Sequence, residues 1–225
     1  MVPIPFFGIW EPFSSLMHIS AALLVLFTSP RLLRLGTSRR DRASLLAFIA
    51  GAVCLLMTSG VYHAFSPGPA RDLFQRFDHA AIWILIAGTF TPIITFSMDG
   101  VLRKVMLLLV WTLCLAGVIL KTLFFDAIPE GLGLAFYVAF GWLGVTYFVG
   151  LARRGGAQSV LWCFAGGVSY TSGAVLEFAR VPVILPGVFG PHEVFHLAIV
   201  LGVVCHWVCI SVLMRKVSQD NLARK

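Results

Sequence analysis

Seven long apolar runs, interrupted by short clusters of charge and proline, decide what this chain can fold into. They cover residues 13–29, 43–65, 79–97, 101–124, 132–151, 159–179 and 193–214. A hydrocarbon layer of about 30 Å takes roughly 20 helical residues to cross. A backbone that crosses lipid must satisfy its own N–H and C=O groups, which a helix does within one segment. The spacing therefore predicts an all-α polytopic membrane protein, a seven-transmembrane helix bundle. The runs use most of the 225 residues, so residues 1–225 read as a single transmembrane domain.

Composition agrees. The chain is 59% hydrophobic and 12% charged, against about 25% charged in a typical soluble domain. Pro30 is read as the end of the first run and Ser66-Pro67-Gly68-Pro69 as the break after the second. Pro92 falls inside the third run, where the missing N–H predicts a kink. The pairs Gly141 and Gly144, and Gly166 and Gly167, suit close contacts between helices in lipid. The start of the chain has no basic region, and no small-residue cleavage site follows the first apolar run, so that run is read as a span rather than a leader.

The five cysteines, Cys54, Cys114, Cys163, Cys205 and Cys209, all lie in apolar runs. None forms a C-x-x-C pair, which argues against a disulfide framework or a thiolate metal site. The formal charge of +7 comes without any basic stripe interleaved with aromatics, so nucleic acid is not an expected partner. Lysine and arginine act better as topology signals. With seven crossings, Arg71, Arg76, Lys121 and Arg180 share the side of the N-terminus, and the other thirteen fall opposite. This excess predicts the N-terminus outside and the C-terminus inside.

Ionisable residues near membrane depth are costly, and they mark function. Five of the six histidines, His18, His63, His79, His192 and His196, fall near the N-terminal side, and only His206 is deeper. His192 and His196 are four apart and project from one helical face. With His63 from a second helix they form a three-nitrogen set that leaves a fourth position open, as in catalytic zinc sites. Asp78 and Ser59, at the same face, are suited to hydrogen-bond a ligand imidazole or a water at the metal. The stretch His192-Glu193-Val194-Phe195-His196 also matches the HExxH pattern of zinc metalloproteases, in which the glutamate is general base. Against that reading, no second acidic ligand motif appears in another apolar run.

Taken in order, Ser59 and His63, Asp78 and His79 leading to Pro92, and His192 and His196 with Gly202 and His206 resemble the hemolysin III family. That family belongs with the progestin and adipoQ receptors (PAQR) and, more distantly, the alkaline ceramidases. The resemblance spans nearly the whole chain. It implies a seven-helix bundle around a zinc ion (Zn2+) with His63, His192 and His196 as ligands. Asp78 would hold or activate water at the metal, and Ser59 would be a polar partner. Glu11 and His18 resemble an N-terminal Glu-x2-Asn-x3-His element in which Ser14 replaces the asparagine. His79 and His206 are expected to form hydrogen bonds rather than bind metal. Receptor relatives place the N-terminus in the cytosol and ceramidase relatives place it outside; the loop charges favour the second.

Two classes of function follow from the resemblance. The first is a zinc-dependent hydrolase of a lipid amide or ester, with a membrane lipid as substrate. The second is a non-enzymatic protein with a structural zinc, receptor-like, acting in membrane homeostasis, or cytolytic. No run carries the continuous polar stripe expected of a pore.

Overall fold

The computed structural model describes residues 4–223, and these are helical apart from short connections. Arg224 and Lys225, counted above among the topology charges, lie outside the described residues. The helices are α1 (Pro12–Leu33), α2 (Arg39–Ala64), α3 (Pro69–Ser97), α4 (Gly100–Leu123), α5 (Glu130–Trp142), α6 (Phe148–Phe178) and α7 (Pro191–Ala223). A 3-10 segment, Leu143–Tyr147, joins α5 to α6 without a loop. The described residues hold only isolated bridges, Phe6 with Ile9 and Leu185 with Phe189, and no strand.

Six helical stretches are long and apolar enough to cross a membrane. The expectation of seven separate runs differs at one place. The fifth and sixth runs lie in one stretch of 49 residues, Glu130–Phe178. Inside it Gly156 leaves helical geometry, at φ 73° and ψ 177°, a conformation suited to glycine because it has no Cβ. Before Gly156, Arg154 pairs with Asp99 in the α3–α4 connection. After it, Arg180 binds Glu130, at the start of α5, at 2.8 Å.

Two boundaries move relative to the sequence reading. The helix of the first run continues past Pro30 to Leu33. Pro30 has no N–H for the carbonyl of Leu26, but the Ser29 hydroxyl donates to that carbonyl at 2.8 Å, so the helix continues at little cost. Helix α3 begins at Pro69, ten residues before the apolar run. Proline at the first helical position is pre-shaped for it, and Asp72 in the first turn suits the helix dipole. Hydropathy marks the lipid-crossing part of a helix and misses its charged extension. Asp78 and His79 are thus held inside a helix rather than at its end.

α3 is the most buried of the apolar helices, whereas α1 and α4 are largely exposed along theirs. It packs on α2, α4, α5, α6 and α7. The outward leucines and phenylalanines, such as Leu24, Phe27, Leu108 and Leu115, present an apolar surface, which suits lipid. Of the glycines singled out above, Gly166 meets α7 closely, a Cβ there lying 2.6 Å from the His206 ring, while Gly141 and Gly167 would meet nothing within 4 Å. Where α2 crosses α3, a Cβ at Gly88 would lie 2.5 Å from the Ala47 carbonyl, and one at Gly51 2.8 Å from that of Ile84. These two glycines let α2 and α3 cross closely, which fixes the helix that carries His63 against the one that carries Asp78.

Candidate metal centre

His63 occupies the last turn of α2, and His192 and His196 the first two turns of α7. Their candidate ligand atoms lie within 4.8 Å of one another. The His192 Nε2 is 3.2 Å from that of His63 and 2.9 Å from that of His196. The other ring nitrogens show what this means. His63 Nδ1 pairs with the Glu11 carboxylate, and His192 Nδ1 faces the Glu177 carboxylate at 3.3 Å. A carboxylate accepts hydrogen bonds, so it draws the imidazole proton to Nδ1. The Nε2 atoms of both rings are then lone pairs aimed at one point. Two lone pairs about 3 Å apart repel unless a cation sits between them. The donor set fits a metal ion, and the three histidines could hold one.

Glu11 also binds the Arg71 guanidinium at 2.7 Å. Burial pushes the Glu11 carboxyl up, but hydrogen bonds from His63 and Arg71 outweigh it and hold it at about 2. It is therefore ionised, as a partner for an imidazole N–H must be. The backbone helps, since Glu11 N–H donates to the His63 carbonyl at 2.9 Å.

His18 is buried and stacks on His196, with ring centroids 4.0 Å apart. It packs behind His196 and is outside the set of candidate ligands. Ser14 donates to Glu193 Oε1 at 3.0 Å, and Glu193 Oε2 accepts from the Gly190 N–H at 2.8 Å. The glutamate of the HExxH match thus caps the start of α7 and ties it to α1. Asp78 has the Ser59 hydroxyl as a near neighbour. Both line the same cavity as the three histidines, which has a volume of about 850 Å³. His79 and His206 stand outside the cluster. The His79 ring meets Phe125 edge-on, and its carbonyl accepts from the Tyr137 hydroxyl at 3.1 Å. His206 is buried beside Tyr170 and Gly166.

The sequence reading did not single out Glu177. It is an acidic residue at the end of an apolar run on the histidine side, and that position was the available signal. Its pairing with His192, fifteen residues on, depends on how α6 and α7 pack.

The family described as "Haemolysin-III related" matches residues 9–207, from just before Glu11 to just past His206. The chain belongs to the hemolysin III family. It is 28% identical over 157 residues to a Bacillus cereus protein named "Hemolysin-3", covering 69% of this chain and 68% of that protein. It is 26% identical over 171 residues to a "Hemolysin-3 homolog" of Bacillus subtilis strain 168, covering 76% of each chain. The protein is accordingly an integral membrane protein, and all three histidines lie within the matched region.

Proposed function

We propose that this protein is a zinc-dependent hydrolase of an amide or ester bond in a membrane lipid. The convergence of three imidazoles, two of them backed by carboxylates, in the wall of a large cavity carries the reading. His63, His192 and His196 would hold the ion. Bound there, zinc supplies Lewis-acid polarisation of a carbonyl and lowers the pKa of water toward neutrality. Glu11 and Glu177 keep the rings turned inward and the right nitrogen unprotonated. Asp78 would take the proton, with Ser59 as its polar partner. Adjoining the histidine-lined cavity is a smaller and more apolar one of about 100 Å³, lined by Phe90, Phe164 and Tyr170 among others. Both are bounded by Ile82, Tyr137 and Phe195. A polar headgroup in the first and an acyl chain in the second is the arrangement a lipid substrate requires.

We further infer seven crossings in a single transmembrane domain. A stretch of 49 residues is more than twice the length needed for one. Arg154 pairs with the connection at one end of α3, while Arg180 pairs with Glu130 near the other face. A crossing up to Gly156 and a return after it supports both contacts. With seven crossings the loop charges favour the N-terminus outside the bacterial inner membrane and the C-terminus inside.

Elemental analysis of purified protein tests the metal, and fatty-acid release from a ceramide-like lipid tests the chemistry. Wild type should carry zinc and release fatty acid; His63→Ala should lose both. Equal zinc in the two proteins would remove His63 as a ligand. Fully zinc-loaded wild type that turns over neither lipid amide nor lipid ester would defeat the hydrolase reading.

A second reading rests on packing. α2 and α7 share little contact along their lengths, so an ion held by His63, His192 and His196 would tie them together. A structural zinc of this kind suits a receptor-like, homeostatic or cytolytic protein. Liposome leakage that survives His192→Ala would favour it.

A further inference from the structure

The cavity that holds the three histidines has a second polar feature in its lining. Lys121, in the last turn of α4, lines it and is only 6% exposed. The ammonium lies 5.3 Å from the Phe125 ring centroid and 5.9 Å from that of Tyr137. Among the described residues it has no ion pair and no hydrogen bond. The nearby carboxylates are engaged elsewhere: Asp126 pairs with Arg76 at 2.6 Å, and Glu130, which is exposed and still felt electrostatically by Lys121, pairs with Arg180 at 2.8 Å.

A lysine at a helix end ordinarily extends its head to water, where it also complements the helix dipole. That task at the end of α4 is met by Arg76, which donates to the Thr122 carbonyl at 3.3 Å. Lys121 turns inward instead. Gly133 makes room for it, since a Cβ there would lie 2.7 Å from the Lys121 Nζ. His79, from α3, packs on the same Phe125 ring, lines the same cavity, and has a buried Nδ1 without a hydrogen-bond partner. The Tyr137 and Phe125 rings lower the cost of burying the charge but do not cancel it. A buried cation, an idle imidazole nitrogen and a space kept open by glycine are what an oxyanion site requires.

We propose that Lys121, with His79 beside it, binds an oxyanion, phosphate or carboxylate, of the ligand that occupies the metal cavity, so that the lipid is an acidic one. This deepens the hydrolase reading by naming the substrate class, and it rests on the cavity taking a lipid. The acyl chains would enter the adjoining apolar pocket past Tyr137 and Phe195.

The test measures binding rather than turnover, so it succeeds or fails separately from the hydrolase assay. Purified zinc-loaded protein in neutral detergent is titrated with dioctanoyl phosphatidic acid, dioctanoylglycerol and inorganic phosphate, with affinities read from shifts in the heat-denaturation midpoint. Wild type should prefer the phosphatidic acid over the glycerol by about tenfold or more. Lys121→Met should reduce the preference to within about twofold, and Lys121→Arg should retain most of it. Bound zinc should be equal in all three. Without ligand, Lys121→Met should melt at the same temperature as wild type or higher, because the ammonium has no ion pair among the described residues to lose. Lys121-dependent protection by inorganic phosphate would support the same subsite and identify free anion as a source besides a headgroup. If Lys121→Met does not fold, Gly133→Ala, which keeps the charge and displaces the ammonium, must lower the preference severalfold. An undiminished preference in the folded variant, or no preference in wild type, would overturn the proposal.

Discussion

At the scale of single residues, the carboxylates behind the histidines carry as much of the argument as the histidines. Glu11 and Glu177 each hold one imidazole by its Nδ1, so each sets a tautomer. Removing such a partner costs roughly 10–100-fold in metal affinity. Glu11→Gln and Glu177→Gln are therefore expected to weaken zinc binding by about that much without abolishing it, as competition with a graded series of chelators would record. The Glu11 carboxyl is held at about 2, against an ordinary 4.5. Its contribution to stability is thus present in full above the ordinary value and is lost only as pH falls toward the lowered one. Asp78 behaves differently. It lines the cavity but lies outside the ligand cluster, so Asp78→Asn should keep its zinc while lipid hydrolysis falls by about 100-fold or more. Loss of zinc in that variant would make Asp78 part of the metal's own support.

Among the helices, what could be read from sequence divides along a physical line. Long apolar runs report which segments prefer lipid, and four-residue spacing reports which side chains share a helix face. His192 with His196 and the placement of His63 at a span end were legible for those reasons. The start of α3 at Pro69 was not, because Arg71, Asp72 and Arg76 are charged and yet helical. The partnership of Glu177 with His192 was not, because it depends on the packing of α6 against α7. Glycine roles were legible only in part, for a related reason: Gly166 does meet the His206 ring of α7 closely, whereas Gly141 and Gly167 meet nothing within 4 Å. Sequence shows where glycines are, but a close approach needs a partner backbone, found at Gly51 and Gly88 rather than at Gly141. Gly88→Leu drives a side chain into the Ala47 carbonyl, which is backbone and cannot yield locally. The expected loss is about 1–3 kcal/mol, the range for overpacking, seen as a lower midpoint of thermal unfolding. The same change at Gly141, where the space is open, should leave the midpoint nearly unchanged.

For the whole molecule, the metal centre and the course of the chain make linked claims. An ion bound only by the folded state stabilises it by about 2.7 kcal/mol at a free concentration a hundred times its Kd. Chelation should therefore lower the unfolding midpoint of wild type, restored by added zinc, and leave His63→Ala unmoved. The centre needs the ends of α2 and α7 at one face, and Arg180 with Glu130 brings the end of α6 and the start of α5 there as well. The proposed seven crossings would satisfy this, with Gly156 as the turn at the far face. In a background with the five native cysteines replaced, single cysteines at Phe7 and Val183, both exposed, should react with a membrane-impermeant maleimide added outside intact cells. Cysteines at Arg34 and Arg154 should react only after the cells are opened. Labelling of positions 154 and 183 from the same side would show that Glu130–Phe178 does not cross and return, and would remove the seven-span arrangement. Reversal of all four positions would keep that arrangement and place the metal cavity at the cytoplasmic face, where its lipid would have to be drawn from the inner leaflet.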